Sequence, residues 1–304
     1  MSTIMSKTVT VTELPYRLLL EHWDTMSAMA VGGLRSVLPL KRKHTAPVPV
    51  QRTVNPPSPQ LLQAYRDWCH AANSRGIPPH LVCAKLTMPV VADLTAQSPY
   101  PLLSVLNQGV RLQLHKPIPE GEALELKGEL LDASDDGYRA RIHSRVTVST
   151  ASAPNAMTID AIAAVMLKKR PGGDSDKNRV EPDYVTIDQW QAAWNEGQTF
   201  FWLTGDFNPI HTVPALAKRT QFKGCIMHGY GAFAQVYEAL QRSGARFKEI
   251  ETRFVRPLPL PSGTLLIQQA KTPDEDGQIA FRLINETGTL YQAGRYVPAA
   301  ESRL

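Results

Sequence analysis

NQGVRLQLHKPIPEGEALEL, residues 107–126, returns in altered form as EIETRFVRPLPLPSGTLLIQ at residues 249–268. Each stretch alternates apolar with polar residues, meets a basic residue directly before a proline, and passes through proline and glycine into another strand-like run. Alternation with period two marks a strand wet on one face, and the Pro–Gly passage marks a turn. Pro117 and Pro257 stand 140 residues apart. One structural unit is therefore expected twice in the chain.

More strands follow in each half. In residues 138–149, Tyr138, Ala140, Ile142, Val146 and Val148 share one face, while Arg139, Arg141, His143 and Arg145 share the other. That is an antiparallel sheet with one solvated side. Residues 280–288 and 289–297 read as strands separated by turn residues. A helix precedes each run of strands. In residues 229–244, Phe233, Val236, Tyr237 and Leu240 recur at helical spacing, with Gly244 as a stop. In the first half the helix is shorter and is expected to open at Pro89. A helix followed by a curled antiparallel sheet, made twice, defines an α+β class: a double hot-dog, a pseudo-dimer within one chain. Pro-rich and polar stretches suggest an N-terminal arm with a helix over 1–59, a first unit over 60–170, a linker at 171–182 and a second unit over 183–304.

The chain has 304 residues, 43% of them hydrophobic, and a net charge of +5. The mild basic excess suits an anionic partner such as a phosphate-bearing cofactor or an acidic carrier protein. No basic helix, zinc-finger spacing or aromatic RNP-type strand points to nucleic acid. Three scattered cysteines, Cys69, Cys83 and Cys225, read as reduced thiols in a cytoplasmic protein. No run approaches the roughly 18 apolar residues of a membrane helix.

The second half carries TGDFNPIH at 204–211 and HGYG at 228–231. Asn208 is placed to cap a helical turn, with Pro209 at its first position, where a missing N–H costs nothing. His211 then lies on that turn, and Asp206 lies on a reversal assisted by Gly205. Such an Asp and His can share a water and relay protons. Gly229 opens the next helix, so its N–H and the helix dipole can stabilise charge developing on a carbonyl oxygen. In an ungapped register of 140, Asp206 falls on Arg66, His211 on Ala71, and His228-Gly229 on Met88-Pro89. The first half is thus expected to keep the fold and lack the polar cluster.

The sequence F-x-L-T-G-D-F-N-P-I-H, followed by Ala217 and I-M-H-G-Y, resembles the hydratase motif of MaoC-like proteins, the (R)-specific enoyl-CoA hydratases and (R)-3-hydroxyacyl thioester dehydratases. The chain resembles their double hot-dog members. The resemblance implies Asp206 and His211 as the catalytic pair, Asn208 as the amide orienting water and dyad, and Gly229 as the oxyanion donor. It implies reversible hydration of a trans-2-enoyl thioester carried on CoA or an acyl carrier protein, without a cofactor. Tyr230 stands where Met is common and is expected on the acyl path or in helix packing. Pro209 and His228 are expected to shape the substrate site, His228 mainly as structural support. Lys218, Arg219 and Lys223 are candidates for holding a substrate phosphate. A metal held by Asp206, His211 and His228 lacks any further ligand signature. A hot-dog thioesterase and a non-catalytic acyl-thioester-binding subunit stand as alternative functions. The chain is expected as a monomer or a homodimer.

Overall fold

A computed structural model describes residues 16–23, 25–27, 46–71, 76–100, 104–168 and 181–299. Ten strands form one antiparallel sheet: β1 Val50–Val54, β2 Val105–Leu114, β3 Leu124–Asp135, β4 Arg139–Ser149, β5 Met157–Met166, β6 Tyr184–Trp190, β7 Phe247–Phe254, β8 Leu265–Ala270, β9 Ile279–Asn285 and β10 Leu290–Pro298. Their order across the sheet is β1-β3-β4-β5-β2-β7-β10-β9-β8-β6. The order reads the same from either edge once each strand is exchanged for its counterpart in the other half. β2 and β7 meet at the centre, where Arg111 faces Glu251 and Val110 and Leu112 face Thr252 and Ile250. Arg111 and Glu251 are 140 apart, so the pseudo-twofold axis passes between them and the repeat interval inferred from the prolines holds through the strands. Arg111 also clamps Glu249 across the seam through two N–H···O bonds of 2.8 Å, the forked geometry that suits a guanidinium and a carboxylate.

The labelled helices are α1 Pro59–Cys69, α2 Met88–Ala96, α3 Glu196–Thr204, α4 Pro209–Thr212, α5 Pro214–Ala217 and α6 Gly229–Arg242. Phe233, Val236, Tyr237 and Leu240 of α6 are all buried, so the helical periodicity reports a core helix. Gly244 follows it with φ +96°, as a stop requires. The core is continuous across both halves: Leu61, Tyr65, Leu112 and Leu124 join Phe233, Ile250, Phe281 and Leu283 in one cluster. On β4, Ala140, Ile142, Val146 and Val148 are buried. Of the opposite face, Arg145 grips the buried Asp160 at 2.7 Å and 3.0 Å, so part of it is paired rather than merely solvated.

Three expectations need correction. The sheet begins inside the stretch assigned to the N-terminal arm, because Val50–Val54 pairs with β3; alternation over five residues is too short a signal beside so many prolines. The first-half helix does not open at Pro89. A helical path enters at Pro79–Leu81, runs through a π turn at Val82–Leu86 and continues as α2. The wider turn carries the chain toward Pro89, whose nitrogen has no hydrogen to donate. The ungapped register fails at the helix entrances. Ile77 N donates to Ile118 O at 2.8 Å, and Met227 N donates to Leu258 O at 2.8 Å. The acceptors are 140 apart and the donors 150, which sets His228-Gly229 against Pro78-Pro79. Of the predicted N-terminal arm and helix, Tyr16–His22 forms a 3-10 turn, residues 23 and 25–27 are helical, and 1–15, 24 and 28–45 lie outside the described residues. Residues 171–180 of the predicted linker also lie outside them. No helix among the described residues is long and apolar enough to cross a membrane.

Candidate active site

α3 ends at Gly205, whose φ of +82° lets its N–H return to Phe201 O at 2.7 Å. This left-handed stop turns the chain sharply and delivers Asp206 beside the helix end. Two residues later Asn208 caps α4: its side-chain oxygen accepts from Ile210 N at 3.3 Å, and Pro209 fills the first helical position. His211 therefore sits on the only turn of α4, as the sequence predicts. Its Nδ1 bonds to Ile226 O at 2.8 Å. A carbonyl only accepts, so Nδ1 carries the hydrogen and Nε2 keeps its lone pair. His228 stacks on His211 with centroids 3.8 Å apart. Its Nε2 donates to Asp206 O at 3.1 Å and lies 3.9 Å from the Asp206 carboxylate. Asp206, His211 and His228 thus occupy one volume, with α6 beginning at the next residue, Gly229, and no side chain capping its first turn.

Burial dominates the electrostatics. It holds His211 at about 3, assisted by His228 and opposed by Asp206 and the Ile226 carbonyl. It holds His228 at about 3, opposed by the bond to Asp206 O. Burial raises Asp206 above its ordinary value, and the neighbouring His211 counters only part of that. Near neutrality both imidazoles are uncharged. The site therefore pairs a neutral base with an acid whose proton is held more firmly than usual. His228 Nδ1 is buried without a partner among the described residues, and the ring's other contacts are those of a brace.

The remaining candidates divide. Tyr230 is buried, packs edge-on against Phe254 at 5.9 Å and bonds with Asn107 of the first half; it belongs to helix packing. The space a side chain would take at Gly229 is filled by the Phe254 ring, 2.9 Å from an added Cβ. The glycine thus accommodates a neighbouring ring. Lys218, Arg219 and Lys223 lie exposed in the stretch after α5. Cys225 is buried, and burial raises its thiol pKa. No group of three metal-binding side chains occurs among the described residues.

Sequence reasoning missed two contributors. His22 is fully buried and packs on the back of Gly205, where an added Cβ would come within 2.7 Å of it. Its Nε2 donates to Trp202 O at 2.7 Å, and its Nδ1 meets the buried Lys85 Nζ at 2.6 Å. Lys85 belongs to the π turn of the first half, so a residue from each distant segment braces the loop carrying Asp206. Phe254 was the other. Neither is close to the motif in sequence, and only the fold brings them there.

The first half differs at this place by length. Its helix α1 also ends in a left-handed residue, His70 with φ +58°. From there to the helix entrance the chain has only residues 71–76, where the second half has 206–226. Ala71 stands where Asp206 stands, the six residues include no histidine, and Pro79 stands where Gly229 offers its N–H.

Residues 178–275 match the MaoC-like domain family. Over 192 residues the chain is 29% identical to the peroxisomal hydratase-dehydrogenase-epimerase of Neurospora crassa, an alignment spanning 59% of this chain and 21% of that one. The chain thus spans about a fifth of the length of that curated relative. The solved structure of HtdX from Mycobacterium tuberculosis superposes with a TM-score of 0.65 at 19% identity, covering 82% of this chain and all of that one. A second Mycobacterium tuberculosis protein, described as having a double hotdog fold, superposes at 0.53 with 12% identity over 83% of this chain and 95% of its own. The molecule is a double hot-dog protein. Its second half carries a MaoC-like domain, and the dyad sequence lies within the matched residues.

Proposed function

We propose that the protein catalyses the reversible hydration of a trans-2-enoyl thioester to the (R)-3-hydroxyacyl thioester, as a hydro-lyase of acyl metabolism. The observation that carries this reading is the shared volume of Asp206 and His211, with the His211 Nδ1 hydrogen fixed on Ile226 O so that Nε2 is the basic nitrogen. In the hydration direction, a water between the pair gives one proton to His211 Nε2 while its oxygen bonds to C3. C2 takes a proton from Asp206 on the same face, and the imidazolium proton then returns to the carboxylate. Asn208 orients the water and the pair. The negative charge that passes to the thioester oxygen is met by the Gly229 N–H and the start of α6. The chain holds one such site, because the first half lacks the segment that would build a second.

We assign the substrate to the acyl thioesters of CoA or an acyl carrier protein, with Lys218, Arg219 and Lys223 at the phosphate end and an acyl chain reaching toward the first half. The chain acts as a monomer or as a homodimer, without a cofactor. The compartment is the cytoplasm or, as the name of the fungal relative suggests, the peroxisome. The test is loss of enoyl absorbance with crotonyl-CoA, a longer enoyl-CoA and a carrier-bound enoyl group, with chiral analysis of the product. An (R)-3-hydroxy product supports the reading. Release of free thiol would replace it with a thioesterase, and binding without turnover by folded protein would replace it with an acyl-thioester-binding subunit.

A further inference from the structure

A cavity of about 280 Å³ opens in the first half, away from the dyad. It is bounded by Ile77 and Pro79 at the helix entrance, by Leu114 at the end of β2 and residues 115–118 after it, and by the C-terminal half of α6 with Arg246 beyond it. The matched hydrogen bonds at Ile77–Ile118 and Met227–Leu258 make this the counterpart of the dyad site. The connection that leads to this entrance is six residues, 71–76, against 206–226 in the second half. Pro79 has no N–H to offer here, and no aspartate is among the described residues that line the cavity. An open cavity remains.

Its lining is sorted by polarity. Ile77, Ile118, Met157 and Tyr237 form a buried apolar interior. Lys116, Arg242 and Arg246 lie exposed at the rim. One carboxylate, Glu238, is 4% exposed on the wall and accepts from His80 Nε2 at 2.7 Å, while His80 Nδ1 accepts from Tyr65 O–H at 2.9 Å. Glu238 is thereby held against the protein interior. Asp188 offsets part of the charge of Arg242 at 2.7 Å. The rim keeps a net positive charge one helical turn beyond Glu238, about 6 Å along the α6 axis.

We propose that this cavity is a second ligand site, for an anionic amphiphile. Its apolar body, of about eight to ten carbons at the ~30 Å³ each that a water-sized group occupies, lies against Ile77, Met157 and Tyr237. Its carboxylate or phosphate head meets Lys116 and Arg246. This ligand is separate from the thioester turned over at Asp206, and the proposal does not depend on that turnover.

Titration calorimetry on the full chain tests it, with decanoate and decyl phosphate as probes and coenzyme A as a third arm. The expected result is saturable one-to-one binding of an aliphatic anion to both the natural chain and an Asp206→Asn variant. Lys116→Glu and Arg246→Glu should each weaken it at least tenfold, and Met157→Trp should abolish it by filling the interior. Circular dichroism should show the variants folded, and Lys116→Glu should leave enoyl turnover intact. The head that binds more tightly names the source, a fatty carboxylate or an alkyl phosphate. Binding only of coenzyme A, indifference to both rim substitutions, or displacement of the probe by a short enoyl thioester would each overturn the proposal.

Discussion

The two halves share a sheet, a core helix and a hydrogen bond at the helix entrance, yet only the second carries the TGDFNPIH segment with Asp206 and His211. Their strands stay in register at an interval of 140, and Arg111 facing Glu251 marks the axis that relates them. The difference is concentrated between the end of one helix and the start of the next: residues 71–76 in one half and 206–226 in the other. A fold held by sheet pairing and a common core tolerates a changed connection, because surface connections contribute little to the core. Losing chemistry here required no change to the packing that keeps the first half folded. The comparison is therefore between one scaffold with an added loop and the same scaffold without it, and it can be attacked from either side.

The largest effect should come from the loop's own residues. Asp206→Asn and His211→Ala should each lower kcat/KM for an enoyl thioester by about 10²–10⁴, the usual worth of a positioned acid or base. Circular dichroism should be unchanged, since both lie in the connection between α3 and α6 and outside the hydrophobic core cluster. If either variant keeps activity within a few-fold of the natural chain, the division of labour between halves is wrong. Gly229→Ala should come next. An added Cβ meets the Phe254 ring at 2.9 Å, so either the ring or the start of α6 must move, and a misplaced donor costs about 10–10²-fold. The double variant Gly229→Ala with Phe254→Leu should recover part of that loss. No recovery would mean that the methyl group itself obstructs the substrate.

His22→Ala should act more gently, lowering kcat by about tenfold through a loosened Gly205–Asp206 turn, with KM little changed. His22→Gln, able to donate to Trp202 O, should restore part of it. A KM effect alone would remove His22 from the positioning role. Acid should reveal the same burial. His22, His211 and His228 are each held at about 3, far below their ordinary 6.5. Between those values the unfolded chain binds protons that the folded chain refuses, so the stability they contribute is complete above about 6.5 and declines as pH falls toward 3. Asp206, whose pKa is raised, has the opposite sign: its contribution is full at low pH and is lost as pH rises through its folded value. Three groups against one predict a melting temperature that falls on acidification from pH 6.5, and a shallower fall in His228→Asn. A flat profile would contradict the neutral, buried imidazoles.

Much of the fold was legible because period-two alternation and paired prolines are local signals, and the dyad because Asn208, Pro209 and Gly205 dictate their own turns. What was not legible depends on length and on distant partners. The first half spends ten more residues between helix entrance and strand (Ile77 to Ile118 against Met227 to Leu258), so an ungapped comparison set His228-Gly229 on Met88-Pro89 while the entry hydrogen bonds set them on Pro78-Pro79. The π turn before Pro89 hides a helix that proline seems, by local rules, to start. His22 reaches Gly205 from 183 positions away, and β1 is short enough to be lost among prolines; nothing in their local patterns names their partners.

The smallest predicted effect sharpens the comparison most. Pro79 occupies the place of Gly229, and as a proline it cannot donate. Pro79→Ala restores an N–H at that first helical position, so if the donor were the missing element, the first half should gain measurable turnover in a chain whose second site is silenced by Asp206→Asn. The expected result is none, because 71–76 carries no counterpart of Asp206 or His211. Stability should change by about 1 kcal/mol or less, since proline at the first position loses no helix hydrogen bond and mainly restrains the unfolded chain. Thermal melting and single-turnover assays on that double variant check both halves of the statement. Turnover above the Asp206→Asn background would show that the scaffold alone is catalytic, and the loop would then be a refinement rather than the origin of the chemistry.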